Sequence, residues 1–97
     1  MAQSYAKQKC QEYGWSDEDF NSLVKLWHAE SGWNVEAGNP NGPYGIPQAN
    51  PGTKMASYGS DWMTNYVTQI NWGFDYIQQR YTNPTNAWKH FQKKNWY

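Results

Sequence analysis

The chain reads as a mainly α fold: a compact helical domain in which a long irregular loop, or a small β-hairpin segment, forms a cleft. Three observations predict it. Apolar residues recur at helical spacing around Phe20–Trp27 and Tyr66–Tyr81. Residues that start and stop helices bracket those stretches. Between them, nine Gly or Pro crowd the segment from Trp33 to Ser60, too many for regular helix. Ninety-seven residues suffice for one core but not two, so a single domain spanning 1–97 is expected.

In chain order, a first helix is predicted from Ala2 to Tyr13 and stopped by Gly14, with Tyr5, Ala6, Lys9 and Cys10 on its core side. Ser16 and Asp19 make a capping box with the shorter acid, opening a second helix that ends at Gly32. The Gly- and Pro-rich stretch follows, and ordered loops of that length in small domains usually bind or catalyse. A third helix is predicted over Asn65–Tyr81, because Tyr66, Ile70, Phe74, Ile77 and Tyr81 recur every three or four residues; that stripe reads as core. Asn83 and Pro84 supply a cap and a first-turn proline for a last helix through Lys94, which presents Ala87, Trp88 and Phe91.

Composition narrows the function. Apolar residues make up only 38% of the chain, yet it holds seven Trp, eight Tyr and three Phe, more rings than so small a domain can easily hide. Some should line a groove, and rings stack well on sugar faces. Formal charge is zero and no basic run exceeds Lys93-Lys94, which argues against nucleic acid. No segment approaches the length of a membrane span, and the chain as given has no signal-peptide pattern at its start. One cysteine, Cys10, allows no internal disulfide and reads as packing. With His28 and His90 as the only histidines, no metal site is expected. A Ser31–His28–Asp61 triad is disfavoured, since Ser31 lacks the glycine pattern of a nucleophile elbow.

Glu30 is the candidate catalytic residue. Phe20, Leu23, Val24, Leu26 and Trp27 share one arc at about 100° per residue, and Glu30 points into the same arc at the end of the helix. A carboxyl leaving the helix beside aromatic and aliphatic groups is desolvated, which raises its pKa and suits a general acid. Hydrolysis by two carboxylates would need a second acid about 5–9.5 Å away, for which Glu36, Asp61 and Asp75 are the candidates. Each is more often structural.

The residues Glu30, Ser31, Asn34, Ala37, Gly42, Gly45, Ile46 and Gln48 resemble the signature of the lysozyme-like lytic transglycosylases. The likeness continues through Met55–Gly59, Asp61-Trp62, Thr68–Ile70, Trp72-Gly73, Tyr76-Ile77, Arg80-Tyr81, Pro84, Ala87-Trp88 and Trp96-Tyr97. It is similar to the small lysozyme-like α+β domains of secreted and phage proteins that act on Gram-positive walls.

The resemblance implies peptidoglycan as substrate and an enzyme needing no cofactor. Glu30 would be the acid and base, cutting between N-acetylmuramic acid and N-acetylglucosamine with a 1,6-anhydro product. Ser31, Tyr44, Gln48, Asn50 and Tyr97 stand as substrate-binding candidates, with Tyr81 beside Tyr97. Pro43 departs from the alanine usual before Tyr-Gly-Ile and removes a backbone donor. Ala87-Trp88-Lys89-His90 replaces a segment that often carries a late substrate tyrosine. The alternatives are a hydrolytic muramidase and a non-catalytic peptidoglycan-binding module. The expected setting is extracellular or wall-acting, secreted or phage-delivered, as a monomer or as part of a larger protein.

Overall fold

Capping chemistry sets the helix ends in a computed structural model that describes residues 1–97. Helix α1 covers Ala2–Glu12, and Tyr13 caps it before Gly14 turns the chain at φ +71°. Helix α2 covers Asp17–Ser31. Both halves of its capping box form: the Ser16 hydroxyl accepts from the Asp19 N–H at 3.1 Å, and Asp19 Oδ2 accepts from the Ser16 N–H at 3.0 Å. Gly32 ends α2 at φ +63°, a left-handed conformation that glycine adopts without a Cβ penalty.

Helix α3 covers Tyr66–Tyr81, with the Asn65 side chain accepting from the Val67 N–H at 2.9 Å. Helix α4 covers Pro84–Lys94, with the Asn83 side chain accepting from the Asn86 N–H at 2.9 Å. These ends agree with the sequence reading to within a residue. The middle segment holds turns and one 3-10 helix, Gly52–Tyr58, which periodicity does not foretell. In place of a strand pair it has two isolated antiparallel bridges, Gly38 with Tyr44 and Tyr44 with Ala49. No helix is long and apolar enough to cross a membrane.

Helix α2 packs on α1 and α4, while α3 packs on α1, α4 and the 3-10 helix. The core between them is aromatic as well as aliphatic: Leu23, Leu26, Trp27, Ile70, Phe74 and Ile77 are fully buried. Trp15 stacks on Phe74 with centroids 4.9 Å apart at 22°. The predicted α3 stripe is buried at Ile70, Phe74 and Ile77 and half-buried at its two tyrosines. Cys10 is buried in the core, and burial pushes its thiol up to about 12.

Two polar side chains tie the layers. Asp19 Oδ1 accepts from the Thr85 hydroxyl at 2.6 Å, joining the first turns of α2 and α4. Desolvation raises the Asp19 pKa, but hydrogen bonds from Thr85 and Ser16 outweigh it and hold the carboxyl below its ordinary value. Gln69, fully buried on α3, holds the middle segment. Its amide nitrogen donates to the carbonyls of Val35 and Trp62 at 2.9 and 2.8 Å, and its oxygen accepts from the Ile46 N–H at 2.9 Å. Gly45 lies against this amide at φ +78°, where a Cβ would come within 2.7 Å of it. Only glycine meets both demands.

Candidate active site

Glu30 sits one turn beyond the fully buried Leu26 and Trp27, on the arc that faces the core. Because Gly32 stops α2 at once, the following loop folds back over that arc instead of continuing into solvent. A cleft of about 390 Å³ results. Glu30 lines it together with Pro43, Pro47, Gln48, Asn50 and Lys54 from the middle segment, Trp72, Tyr76 and Arg80 from α3, and Trp96 and Tyr97 at the chain's end. Glu30 is half-buried, and desolvation pushes its carboxyl up from 4.5 to about 7. It is the one acidic side chain in the lining.

The α3 wall is a ladder at intervals of four residues. Trp72 stacks on Tyr76 with centroids 5.0 Å apart at 17°, and the Arg80 guanidinium lies over the Tyr76 ring at 5.2 Å from its centroid. Such rungs arise because i and i+4 side chains neighbour each other on a helix. The floor is closed by Tyr97, whose hydroxyl accepts from Trp27 Nε1 at 2.7 Å and donates to the Pro47 carbonyl at 2.8 Å. Tyr76 Oη donates to the main-chain oxygen of Tyr97 at 2.6 Å. Burial raises the pKa of both tyrosines, and the charge of Glu30 adds to the rise in each.

The sequence-predicted residues divide. Glu30, Gln48, Asn50 and Tyr97 come together in the cleft. Gln48 holds a left-handed conformation at φ +57°, and its amide nitrogen is committed to the carbonyls of Ala37 and Gly45 at 3.1 and 2.9 Å. Its amide oxygen takes part in neither bond.

Ser31 and Tyr44 lie outside the lining. The Ser31 hydroxyl lies 2.7 Å from the Ile46 carbonyl and 3.1 Å from that of Trp27, and accepts from the Trp33 N–H, so it stitches the end of α2 to the loop. Tyr44 is buried with its hydroxyl donated to the Met63 carbonyl at 2.8 Å. Tyr81 also lies outside the lining.

The cleft also uses Lys54, Trp72, Tyr76, Arg80 and Trp96, which the sequence reading did not assign to it. For the α3 wall a signal existed, since Trp72, Tyr76 and Arg80 form a second stripe beside the buried one. None of the proposed second carboxylates lines the cleft. Asp61 accepts from Thr68 and Asn65, at 2.7 and 2.8 Å, and these bonds hold its pKa below the usual range. Asp75 accepts from Tyr13 at 2.6 Å and Tyr58 at 2.5 Å, with the same effect. No group of three or more His, Cys, Asp or Glu side chains comes together to hold a metal.

This small helical domain has an aromatic cleft lined by one acid, whose carboxyl is raised to about 7 and so can both give and take a proton near neutral pH. The model of the transglycosylase SLT domain family matches residues 5–93, and the chain belongs to that family. Its family-level activity is therefore of the lytic transglycosylase type, directed at peptidoglycan. No curated protein and no solved structure matches the chain.

Proposed function

We propose that this domain cleaves the β-1,4 bond between N-acetylmuramic acid and N-acetylglucosamine, leaving a 1,6-anhydro-muramic end, with Glu30 as both acid and base. The observation that carries the reading is the solitary acid: one carboxyl lines the cleft, and desolvation lifts it to about 7, so that about half of it holds the proton at neutral pH. A glycosidase working through two carboxylates needs the second about 5–9.5 Å away. Here the other three candidates lie elsewhere, two of them satisfied by Thr, Asn and Tyr donors. A mechanism that needs one acid fits this cleft better.

In the first step the Glu30 carboxyl gives its proton to the glycosidic oxygen as the bond to C1 breaks. The N-acetyl group of the muramic sugar stabilises the cationic centre. Glu30, now a carboxylate, takes the proton of that sugar's C6 hydroxyl, and the oxygen closes on C1. The proton lost in the first step is regained in the second, so the enzyme is regenerated without water. The Trp72 and Tyr76 rings give the cleft an apolar wall against which the sugars orient, and orientation accounts for much of the rate of an intramolecular closure.

Mass spectrometry of fragments released from purified peptidoglycan tests this directly. Anhydro ends made by the wild type and lost in Glu30→Gln support the reading. Reducing ends would mean hydrolysis, and retained binding without release would mean a wall-binding module.

A further inference from the structure

The chain carries eight basic and eight acidic residues, yet the exposed charged side chains of its cleft have one sign. Lys54 reaches the cleft from the 3-10 helix and Arg80 from α3, and both are exposed. The fold does not use them to neutralise its ordered carboxylates. Asp19 is satisfied by Ser16 and Thr85, Asp61 by Thr68 and Asn65, and Asp75 by Tyr13 and Tyr58. Arg80 instead lies over the Tyr76 ring, its guanidinium carbon 5.2 Å from the ring centroid, and stays exposed. A guanidinium is a two-pronged donor matched to a carboxylate.

Position matters as much as charge. At about 1.5 Å of rise per residue, Trp72 and Arg80 are roughly 12 Å apart along α3, so the aromatic rungs and the guanidinium can engage successive parts of one ligand. A neutral glycan would use the rungs and leave both cations idle. A glycan bearing carboxylates would use all of them.

We propose that Lys54 and Arg80 bind a carboxylate carried by the glycan, so that the cleft selects acidic amino-sugar strands over neutral strands with the same backbone. This rests on the proposed peptidoglycan reading and names the two residues that set its specificity. The carboxylate has two possible sources with the same chemistry: the lactyl group of a muramic residue freed of its peptide, or the free carboxylates of an attached peptide. The near-neutral pKa of Glu30 supports the selection, because a protonated Glu30 does not repel an acidic ligand.

The test measures binding to the Glu30→Gln protein by quenching of tryptophan fluorescence, since Trp72 and Trp96 line the cleft. The ligands are chitin oligosaccharides, peptidoglycan strands stripped of peptide, and strands that keep it. Acidic strands should bind about tenfold tighter than chitin oligosaccharides at low salt, because each exposed ion pair contributes a factor of a few. The advantage should shrink as salt rises. It should vanish when Lys54→Gln and Arg80→Gln are added, and return in part with Arg80→Lys.

Tight binding of stripped strands assigns the lactyl carboxylate, whereas tight binding of peptide-bearing strands alone assigns the peptide. Equal affinity for chitin and acidic strands, or an advantage that survives the double substitution, overturns the proposal. Both side chains are exposed, so the variants should melt as the parent does. Wall cleavage by the wild type without charge selectivity would remove this inference and leave the proposed function. Charge-selective binding with no cleavage would do the reverse.

Discussion

Trp27 and Tyr97 are 70 residues apart in sequence, and the indole N–H of one donates to the hydroxyl of the other at 2.7 Å. The same hydroxyl donates onward to the Pro47 carbonyl at 2.8 Å, so helix α2, the middle segment and the chain's end meet at one oxygen. Tyr97→Phe should therefore leave two buried polar groups without a partner. The expected loss is about 2–3 kcal/mol, read from urea unfolding. A loss within error of zero would mean that the three segments are held by packing alone.

Glu30 lowers stability as pH rises. Its folded pKa of about 7 exceeds the unfolded value of 4.5, so below pH 4.5 both states hold the proton and folding carries no penalty. Between 4.5 and about 7 the unfolded chain ionises while the folded one does not, and stability falls; above about 7 the penalty is complete. Glu30→Gln removes it. The variant should match the wild type near pH 4 and exceed it by about 2 kcal/mol at pH 8, allowing for the partial solvent access of the carboxyl. Parallel stability curves across that range would show that Glu30 is not desolvated in solution.

The same titration should appear in activity. A reaction begun by the protonated carboxyl slows as pH passes about 7, so peptidoglycan release should fall tenfold per unit on the alkaline side. Glu30→Gln should lose about 10²–10⁴-fold or more of the rate and with it the pH dependence. Turbidity loss of a wall suspension from pH 5 to 9 measures both.

Gly73 allows the central contact of the core. A Cβ there would lie 2.6 Å from the Trp27 ring and 3.2 Å from Pro47, and the ring is already wedged against Trp33 and Phe74. Gly73→Ala should cost about 1–3 kcal/mol through overpacking, despite the better helix propensity of alanine. Thermal unfolding gives the sign. A stabilised variant would show that the ring shifts freely.

Helices and their ends were legible because capping is local: Ser16 with Asp19 and Asn83 with Pro84 are signals read over three or four residues. Glu30 was legible for a related reason, since phase alone places it on the arc of Leu23 and Trp27. The α3 wall was hidden by its neighbour. Periodicity selects the stripe that is buried best, Ile70, Phe74 and Ile77, and a second stripe such as Trp72, Tyr76 and Arg80 reads as surface until a loop is laid across it. Ser31 and Tyr44 show a different limit. Their positions match a motif, but where a hydroxyl points depends on carbonyls contributed by Ile46 and Met63, which no local pattern locates.

The bonds of Gln69 have a dynamic consequence. Irregular loops usually open by themselves, at a small fraction of the free energy that unfolds the whole molecule. Here the Ile46 amide is held by a side chain rooted in a fully buried helix face, and the carbonyls of Val35 and Trp62 are held by the same group. The wall of the cleft therefore cannot loosen without breaking into α3. The Ile46 amide should exchange its hydrogen as slowly as those in the middle of a helix, and the cleft keep its shape for as long as the core survives.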